Sequence, residues 1–570
     1  MPALSRPIAA SIFFLCIGLS PSASFAKEGF AGAFLAAKIA AANADYRAAD
    51  LWYQRALALD PANIEILNGA MIAALSLGDI SRASDLAAQL QGLNAANQNT
   101  LLARMAGAAE RGDFAEIVEI ETLELSTGSL QDDLLAGWAL IGLGQMNDGI
   151  ARFDKVAQMQ GLAGFGLYHK AIALALAGNF DAAAAALSAP EAGPQVNARR
   201  GAILQAEVLS QIGQSKQAAD LLRQRFAMGQ DARITGMIAL LDAEQALPIS
   251  GFKDASSGLA EVFFTVAAAL VTEGDPAYTL LQARIASDLR PDDSEALLLT
   301  ASVLEQLKQF DLAAETYAQI VQGHPDYTSA QIGRAAAVFS AGRGEESLQV
   351  LTDLATKFPA EFDVQLALGQ GLRRAEQFEA AITAYDAALA LLPQILPQNW
   401  AIFYSRGIAH DSLRQFDLAE ADFRTALDLN PNQPNVLNYL GYSLVDRGEK
   451  LQEALGMIQR AVAARPESGY IIDSLGWALY RLGRYSEALA PMERAAQLEP
   501  VDPIVTDHLG DVYWANGRQR EAMFQWRRAL SFEPTEKDAE RIRKKLEIGL
   551  DAVRASEGAP PFPDLDTGGL

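Results

Sequence analysis

The sequence predicts an all-α fold in which one helix-turn-helix unit is repeated many times and stacked into a superhelical solenoid. The main observation is the spacing of the prolines, which recur about every 34 residues through the second half of the chain. The prolines that carry this period are Pro291, Pro325, Pro359, Pro393, Pro431, Pro466, Pro500 and Pro534. In addition, no segment alternates apolar and polar residues in the Val-, Ile- and Thr-rich manner of a strand, so no sheet is predicted.

The repeat unit is clearest between Gly469 and Pro500 and again between Pro503 and Pro534. In each copy a small residue stands where two helices approach closely, a larger side chain fills the next gap, and a glycine ends the first helix. The residues in these positions are Gly476, Gly483, Ala488, Met492 and Ala495 in one copy and Gly510, Gly517, Ala522, Trp526 and Ala529 in the next. This pattern resembles the tetratricopeptide repeat (TPR), whose helix pairs stack side by side.

The repeats extend over most of the chain but differ in regularity. We expect about 14 repeats, with degenerate TPR-like repeats over 27–257 and a regular TPR array over 258–534. The seam is placed beside residues 248–251, where Pro, Ser and Gly interrupt the weakest stretch. Residues 535–550 are predicted to form a capping helix that covers the apolar end of the last repeat. The tail, 551–570, is predicted to be disordered.

The N-terminus has the features of a secretory signal peptide over 1–26. Arg6 precedes an apolar run of 12 residues, 8–19, and small residues stand at positions 24 and 26. The run is shorter than the ~20 residues that a membrane span needs. Cys16, the only cysteine, follows Leu15 and lacks the small neighbour of a lipid-modified cysteine, which argues against outer-membrane anchoring. We therefore expect an exported, periplasmic protein with no transmembrane segment in the mature chain.

Composition and motifs argue against nucleic-acid binding and catalysis. The net charge is −24, from 70 acidic and 46 basic residues, whereas a nucleic-acid-binding protein needs a basic surface. None of the four histidines has a partner at metal-ligand spacing, and no P-loop, GxSxG elbow or strand-linked GxGxxG occurs. We therefore predict a protein that is not an enzyme and that holds no metal or cofactor. The basic face of the last helix is interpreted as solvated surface, with a docking patch as the alternative.

The first helices of the last three repeats carry polar and aromatic residues at the positions that face the concave groove of a TPR stack. These residues are Asn438, Tyr442, Tyr470, Asp473, Trp477, Tyr480, Arg481, Asp507, Asp511 and Trp514. Aromatic side chains beside Asn, Asp and Arg are suited to holding a peptide, so we predict a protein-binding groove here. The tryptophans are equally consistent with packing between repeats, whereas Asp473 and Asp511 are expected to be exposed. Because two adjoining acidic residues repel a carboxylate, recognition of a partner's C-terminal carboxylate is disfavoured.

Three stretches of the regular array are more specific than a general repeat: 438–444 (NYLGYSL), 473–480 (DSLGWALY) and 508–514 (HLGDVYW). They resemble exported proteobacterial TPR proteins of about this size, some of which are outer-membrane lipoproteins. The resemblance implies an adaptor that binds a periplasmic carboxyl-terminal processing protease and its substrates, the peptidoglycan hydrolases. One partner is then expected in the groove of the regular repeats and another on the N-terminal arc. The alternative is a TPR component of polysaccharide or outer-membrane export and assembly machinery.

Overall fold

A computed structural model describes residues 29–121, 126–193, 195, 198–226, 232–559 and 561–562. The predicted signal peptide and Cys16 lie outside these residues. Over the described ranges the regular structure consists of thirty-one α-helices and two 3-10 helices, so the predicted all-α class is confirmed. Within the same ranges, no helix combines the length and the apolar character that crossing a membrane requires.

The chain forms two compact units that divide between Gly342 and Arg343. The α-helices of the first unit are Phe30–Ala42, Tyr46–Leu57, Ile64–Leu77, Ile80–Gly92, Gln98–Arg111, Phe114–Glu121, Ser129–Gly142, Met146–Ala157, Ala163–Leu176, Phe180–Leu187, Arg199–Gln211, Ser215–Arg225, Ala232–Asp242, Ala255–Leu270, Pro276–Leu289, Ser294–Gln306, Phe310–Ala318 and Tyr327–Ser340. A 3-10 helix spans Pro190–Ala192. The predicted boundary between degenerate and regular repeats, at 257/258, falls inside the helix Ala255–Leu270 and differs from the division between the two units.

The second unit carries the most regular helix pairs. Its α-helices are Gly344–Lys357, Phe362–Arg374, Phe378–Leu391, Trp400–Ser412, Phe416–Leu429, Pro434–Arg447, Leu451–Ala464, Gly469–Arg481, Tyr485–Leu498, Pro503–Ala515, Gln519–Leu530, Glu536–Ile548 and Leu550–Ser556, with a 3-10 helix at Pro397–Asn399. Residues predicted as a capping helix form the helix Glu536–Ile548. A disordered tail was expected from 551 onward, but Leu550–Ser556 is helical because Leu550 and Val553 are buried in the core.

In four helix pairs of the second unit, a glycine on the first helix meets a large side chain sixteen residues later on the second helix. A Cβ atom added to Gly476 would lie 2.6 Å from Cγ of Met492, and one added to Gly407 would lie 2.7 Å from Cε1 of Phe423. Such distances are well inside van der Waals contact, so only glycine lets the two helices approach this closely. The predicted roles of Gly476 and Met492 are therefore confirmed.

The turns and helix ends follow the predicted pattern. Gly483 and Gly517 follow the first helices of their pairs in the left-handed conformation, with φ of 74° and 77°, which costs glycine little. Six of the periodic prolines stand two residues after the end of a helix, where a residue without an N–H group does not extend it. These prolines are Pro291, Pro359, Pro393, Pro431, Pro466 and Pro500.

In the first unit, the face formed by the first helices of the N-terminal pairs is covered by a later helix pair. The helix Ala255–Leu270 packs against Ser129–Gly142 and Ala163–Leu176, and Pro276–Leu289 packs against Ile64–Leu77. Gly258 lies against the indole of Trp138, and one hydrophobic core runs from Ala33 to Ala296. The first unit therefore covers this face with its own chain, and binding of a second partner on the N-terminal arc stays a prediction.

Buried ionic contacts hold this packing together. Arg200 Nη1 lies 2.5 Å from Oε2 of Glu261, which has no solvent exposure and accepts a hydrogen bond from the Tyr168 hydroxyl at 3.0 Å. Arg200 also contacts Asp293 at 2.5 Å and Glu295 at 2.7 Å. Burial alone would lower the pKa of Arg200, but these three carboxylates raise it, so the guanidinium stays charged. Burial raises the pKa of Glu261, and the positive charge of Arg200 opposes this shift.

Candidate functional site

The ten predicted groove residues lie on three helices of the second unit: Pro434–Arg447, Gly469–Arg481 and Pro503–Ala515. The helix Gly469–Arg481 places Trp477 and Tyr480 on one face, since they are three residues apart. Their rings stack with centroids 4.8 Å apart and an interplanar angle of 13°. His508, on the first helix of the next repeat, also stacks with Trp477. Their ring centroids lie 4.0 Å apart, with an interplanar angle of 12°.

Trp477 and Tyr480 therefore pack between repeats and also line the groove. Only 8% of Trp477 and 5% of Tyr480 is exposed, which shows that their rings contribute to the core. Nevertheless, both side chains line a cavity of about 610 Å³ together with Arg481 and Tyr485. The Nε1 atom of Trp477 is buried and has no hydrogen-bond partner among the described residues, so one donor in this aromatic stack is unused.

The acidic residues are placed differently from the prediction. Asp473 and Asp511 were expected to be exposed, but 5% and 0% of their surfaces are accessible. Asp473 contacts His508, whose Nδ1 atom lies 3.1 Å from both carboxylate oxygens. Burial alone would lower the pKa of His508, but Asp473, with Asp507 and Asp511 nearby, raises it. The carboxylates are buried because cationic partners from other helices accompany them, and a repeat-by-repeat reading of positions does not identify such partners.

Asp507 and Asp511 are neutralised by the capping helix Glu536–Ile548. The Nζ atom of Lys545 lies 2.8 Å from Asp507 and 2.6 Å from Asp511. Asp511 also accepts a hydrogen bond from Nε1 of Trp526 at 3.0 Å, and Arg541 lies 3.5 Å away. The interpretation of this helix's basic face as solvated surface is therefore wrong for Lys545, because the Lys545 side chain is fully buried. The groove at these repeats is consequently not the anionic surface that the sequence suggests.

The chain that follows the capping helix reaches back to the groove. Trp514, half-buried and 5.3 Å from the Trp526 ring, donates from Nε1 to Asp551 at 2.9 Å. Arg554 donates to the Tyr480 hydroxyl at 3.0 Å. These contacts could not be predicted from repeat positions, since they join residues 37 and 74 positions apart. The one available signal was the basic character of the last helices, for which a docking role was the alternative interpretation.

The remaining predicted residues surround this centre. Asn438 is half-buried, and its Oδ1 atom has no hydrogen-bond partner among the described residues. Tyr442 is half-buried and packs against the core, and burial raises its pKa. Tyr470 is 56% exposed, and its pKa is raised mainly by Glu499. Arg481 donates to the backbone oxygen of Asp446 at 3.2 Å. The structure thus collects Trp477, Tyr480 and Arg481 at one cavity and leaves Tyr470 on the surface.

The chemistry of this site is that of contact, through aromatic faces, guanidinium groups and unused polar atoms. Within the described ranges, no group of three or more His, Cys, Asp or Glu side chains is arranged to hold a metal ion. The buried carboxylates are paired with cations, and their neighbours are packing residues. The cavity at Trp477 is therefore lined mainly by aromatic and guanidinium groups.

Comparison with known proteins agrees with the helix-pair geometry. A family model described as "Tetratricopeptide repeat" matches residues 269–328, 332–399, 366–434, 404–469 and 474–533. A TPR repeat-containing protein of Pseudomonas aeruginosa is 30% identical over 182 residues, which cover 32% of this chain and 30% of that protein. The match therefore spans less than a third of the relative's length.

Two of the solved structures that are similar to this chain match nearly all of it, at low sequence identity. The structure of the APC/C hetero-tetramer Cut9–Hcn1 covers 91% of this chain and 96% of its own, at 14% identity and a TM-score of 0.39. Yeast Tom70 covers 93% of this chain and 96% of its own, at 14% identity and a TM-score of 0.33. The family match and the Gly-to-aromatic helix pairs thus agree that the chain contains tetratricopeptide repeats between residues 269 and 533.

Proposed function

We propose that this chain is a non-enzymatic scaffold of the bacterial periplasm that acts as an adaptor between a carboxyl-terminal processing protease and cell-envelope substrates. A TPR array is suited to protein–protein interaction. The observation that carries the proposal is the cavity beside the Trp477–Tyr480 stack, where aromatic side chains and the guanidinium group of Arg481 converge. Such a combination anchors a peptide and fixes its direction. The signal-peptide pattern and the resemblance to periplasmic adaptors support the location and the partner.

The second partner is proposed to bind outside the helix face that the first unit covers with its own chain. Several exposed large apolar side chains lie on the first three helices of this unit and in the turn before the third. They are Leu35, Ile39, Leu51, Leu59 and Ile64, with exposures from 47% to 60%. Apolar residues grouped in this way mark an interaction surface. Holding two proteins on one chain raises their effective concentration toward each other without any chemistry by the scaffold.

The test is recovery of partners from cross-linked periplasm with the full mature chain, tagged after the expected cleavage point at Ala26. We expect a processing protease together with cell-wall hydrolases, identified by mass spectrometry. Arg481→Ala, which removes a guanidinium from the cavity, is expected to reduce recovery of the groove-bound partner by roughly tenfold. Arg484→Ala is the matched control, since Arg484 pairs with Glu487 and does not line the cavity.

Two results would contradict the proposal. One is recovery of secretin, synthase or porin-type complexes without a protease, which would favour a role in export or assembly machinery. The other is equal loss of partners in Arg481→Ala and Arg484→Ala, which would show that the cavity is not the docking surface. Far-ultraviolet circular dichroism of both variants establishes that their helices are intact.

A further inference from the structure

The segment after the last helix crosses the cavity described above. We name residues 557–562 the strap; all of them except residue 560 belong to the described ranges. The strap begins after the helix Leu550–Ser556, which is anchored by the buried side chains of Leu550 and Val553. It therefore starts at a fixed point, Glu557 and Ala559 line the cavity, and Phe562 contacts Tyr480 and Tyr485.

Two side chains attach the strap to the groove. Glu557 lies 2.9 Å from Nε of Arg541 on the capping helix. Phe562 packs edge-on against two tyrosines. Its ring centroid lies 5.2 Å from that of Tyr485, at an interplanar angle of 78°, and 6.3 Å from that of Tyr480, at 64°. The guanidinium of Arg554 covers the same phenyl ring at 3.9 Å. The groove thus contains a slot for an aromatic ring, formed by two tyrosines and an arginine, and a separate cationic contact for a carboxylate.

The strap is held weakly compared with the rest of the unit. Its last backbone hydrogen bond within the described ranges joins Ala559 N–H to the Arg554 oxygen at 2.9 Å. The following residues are prolines, which have no N–H group to donate. Phe562 is only half-buried, and Glu557 is exposed. Attachment of the strap to the groove therefore depends on one half-buried ring and one ion pair near solvent, and such ion pairs are weak because water screens them.

We infer that the strap is an intramolecular ligand of the groove, and that the groove's partner is an extended protein segment with the same chemistry, an acidic side chain followed by an aromatic one. This inference rests on the proposed function as a protein-binding scaffold. A partner displaces the strap by placing its ring between Tyr480, Tyr485 and Arg554 and its carboxylate at Arg541. Within the described ranges, the strap leaves the Trp477 Nε1 donor unpaired. A partner that supplies an acceptor there makes one contact that the strap does not.

The test uses the full chain and a fluorescein-labelled peptide with the sequence of residues 555–562. In the wild-type chain the strap occupies the slot at high effective concentration, so the peptide must compete with it. Phe562→Ala vacates the slot without altering a helix, and we expect it to bind the peptide at least about tenfold more tightly than wild type in fluorescence anisotropy. The same peptide with its phenylalanine replaced by alanine is the control that involves no change in the protein.

Equal affinity of wild type and Phe562→Ala, or unchanged binding of the alanine-containing peptide, would overturn the inference. Tyr485→Leu in the Phe562→Ala background is expected to lose peptide binding, because it removes one of the two tyrosines that form the slot. Failure of the peptide with continued recovery of a protease from periplasm would reject the strap and retain the adaptor. Peptide binding without any recovered protease would retain the strap inference and reject the adaptor proposal. The two proposals can therefore be rejected independently.

Discussion

The Nζ atom of Lys545 lies 2.6 Å from Oδ1 of Asp511, and neither side chain is accessible to solvent. Lys545 also contacts Asp507, so one ammonium group compensates two carboxylates at the junction between the last repeat and the capping helix. Burial raises the pKa of Asp507, and Lys545 opposes that shift. The capping helix is therefore fixed by charge as well as by apolar packing.

Replacement of Lys545 by methionine is expected to destabilise this junction by roughly 3–5 kcal/mol, because two buried carboxylates lose their cation. Lys544→Met is the matched control, since Lys544 is 58% exposed and its pair with Glu540 contributes little. Amide hydrogen exchange of residues 503–556, followed by mass spectrometry, measures the local opening free energy. Equal exchange in the two variants would contradict the structural role of the buried contact.

The glycine at the close approach of a helix pair gives a second test. A Cβ atom on Gly510 would overlap the indole of Trp526, which packing holds in place. We expect Gly510→Ala to destabilise the second unit by about 1–3 kcal/mol. Gly456→Ala should instead stabilise it by up to about 1 kcal/mol, since nothing lies within 4 Å and alanine favours a helix. Calorimetry should therefore show a lower melting temperature for Gly510→Ala and a higher one for Gly456→Ala than for the wild-type chain.

His169 predicts acid sensitivity of the first unit. Its Nδ1 atom accepts a hydrogen bond from Trp138 Nε1 at 2.9 Å, and burial lowers its pKa to about 3. Between that value and the ordinary pKa of about 6.5, the unfolded chain binds a proton that the folded unit does not. Stability should thus fall by roughly 2 kcal/mol from about pH 7.5 to pH 5. His169→Gln should flatten this slope in hydrogen exchange of Ala163–Leu176; an unchanged slope would assign it to other groups.

His508 predicts the opposite slope in the second unit. Its pKa is raised in the folded state by Asp473, Asp507 and Asp511, against the effect of burial. The resulting stabilisation is complete below the unfolded pKa of about 6.5 and is lost as pH rises through the higher folded value. Hydrogen exchange of Pro503–Ala515 should therefore accelerate, beyond its intrinsic pH dependence, as the solution becomes alkaline. In His508→Gln this additional acceleration should disappear, and its persistence would contradict the assignment to His508.

The repeated core could be predicted from sequence because its determinants are local. Gly476 and Met492 are sixteen residues apart, and the same interval joins Gly510 to Trp526, so the period itself identifies which side chains meet. The candidate groove was predicted only in part. The helix face of Trp477 and Tyr480 follows from repeat position, whereas the burial of Asp511 depends on Lys545, 34 residues away on a helix that is not a repeat.

The covered face of the first unit could not be predicted for the same reason. Tyr168 and Glu261 are 93 residues apart, and Gln131 and Gln282 are 151 apart. Neither pair belongs to a periodic pattern, and each polar side chain is ordinary for an exposed helix face. Their partnership follows from the path of the chain across many repeats, which the spacing of residues within one repeat does not specify.

That covered face also affects how the first unit reaches its folded state. An ordinary repeat array gains stability one neighbour at a time and folds progressively along the chain. Here the apolar first-helix faces between Ile64–Leu77 and Ala163–Leu176 remain uncovered until Ala255–Leu270 and Pro276–Leu289 are available to pack on them. Contacts between residues so far apart in sequence form slowly. Until they form, the exposed apolar faces can associate with other chains. The order in which the helices become available therefore sets when this unit most needs protection from aggregation.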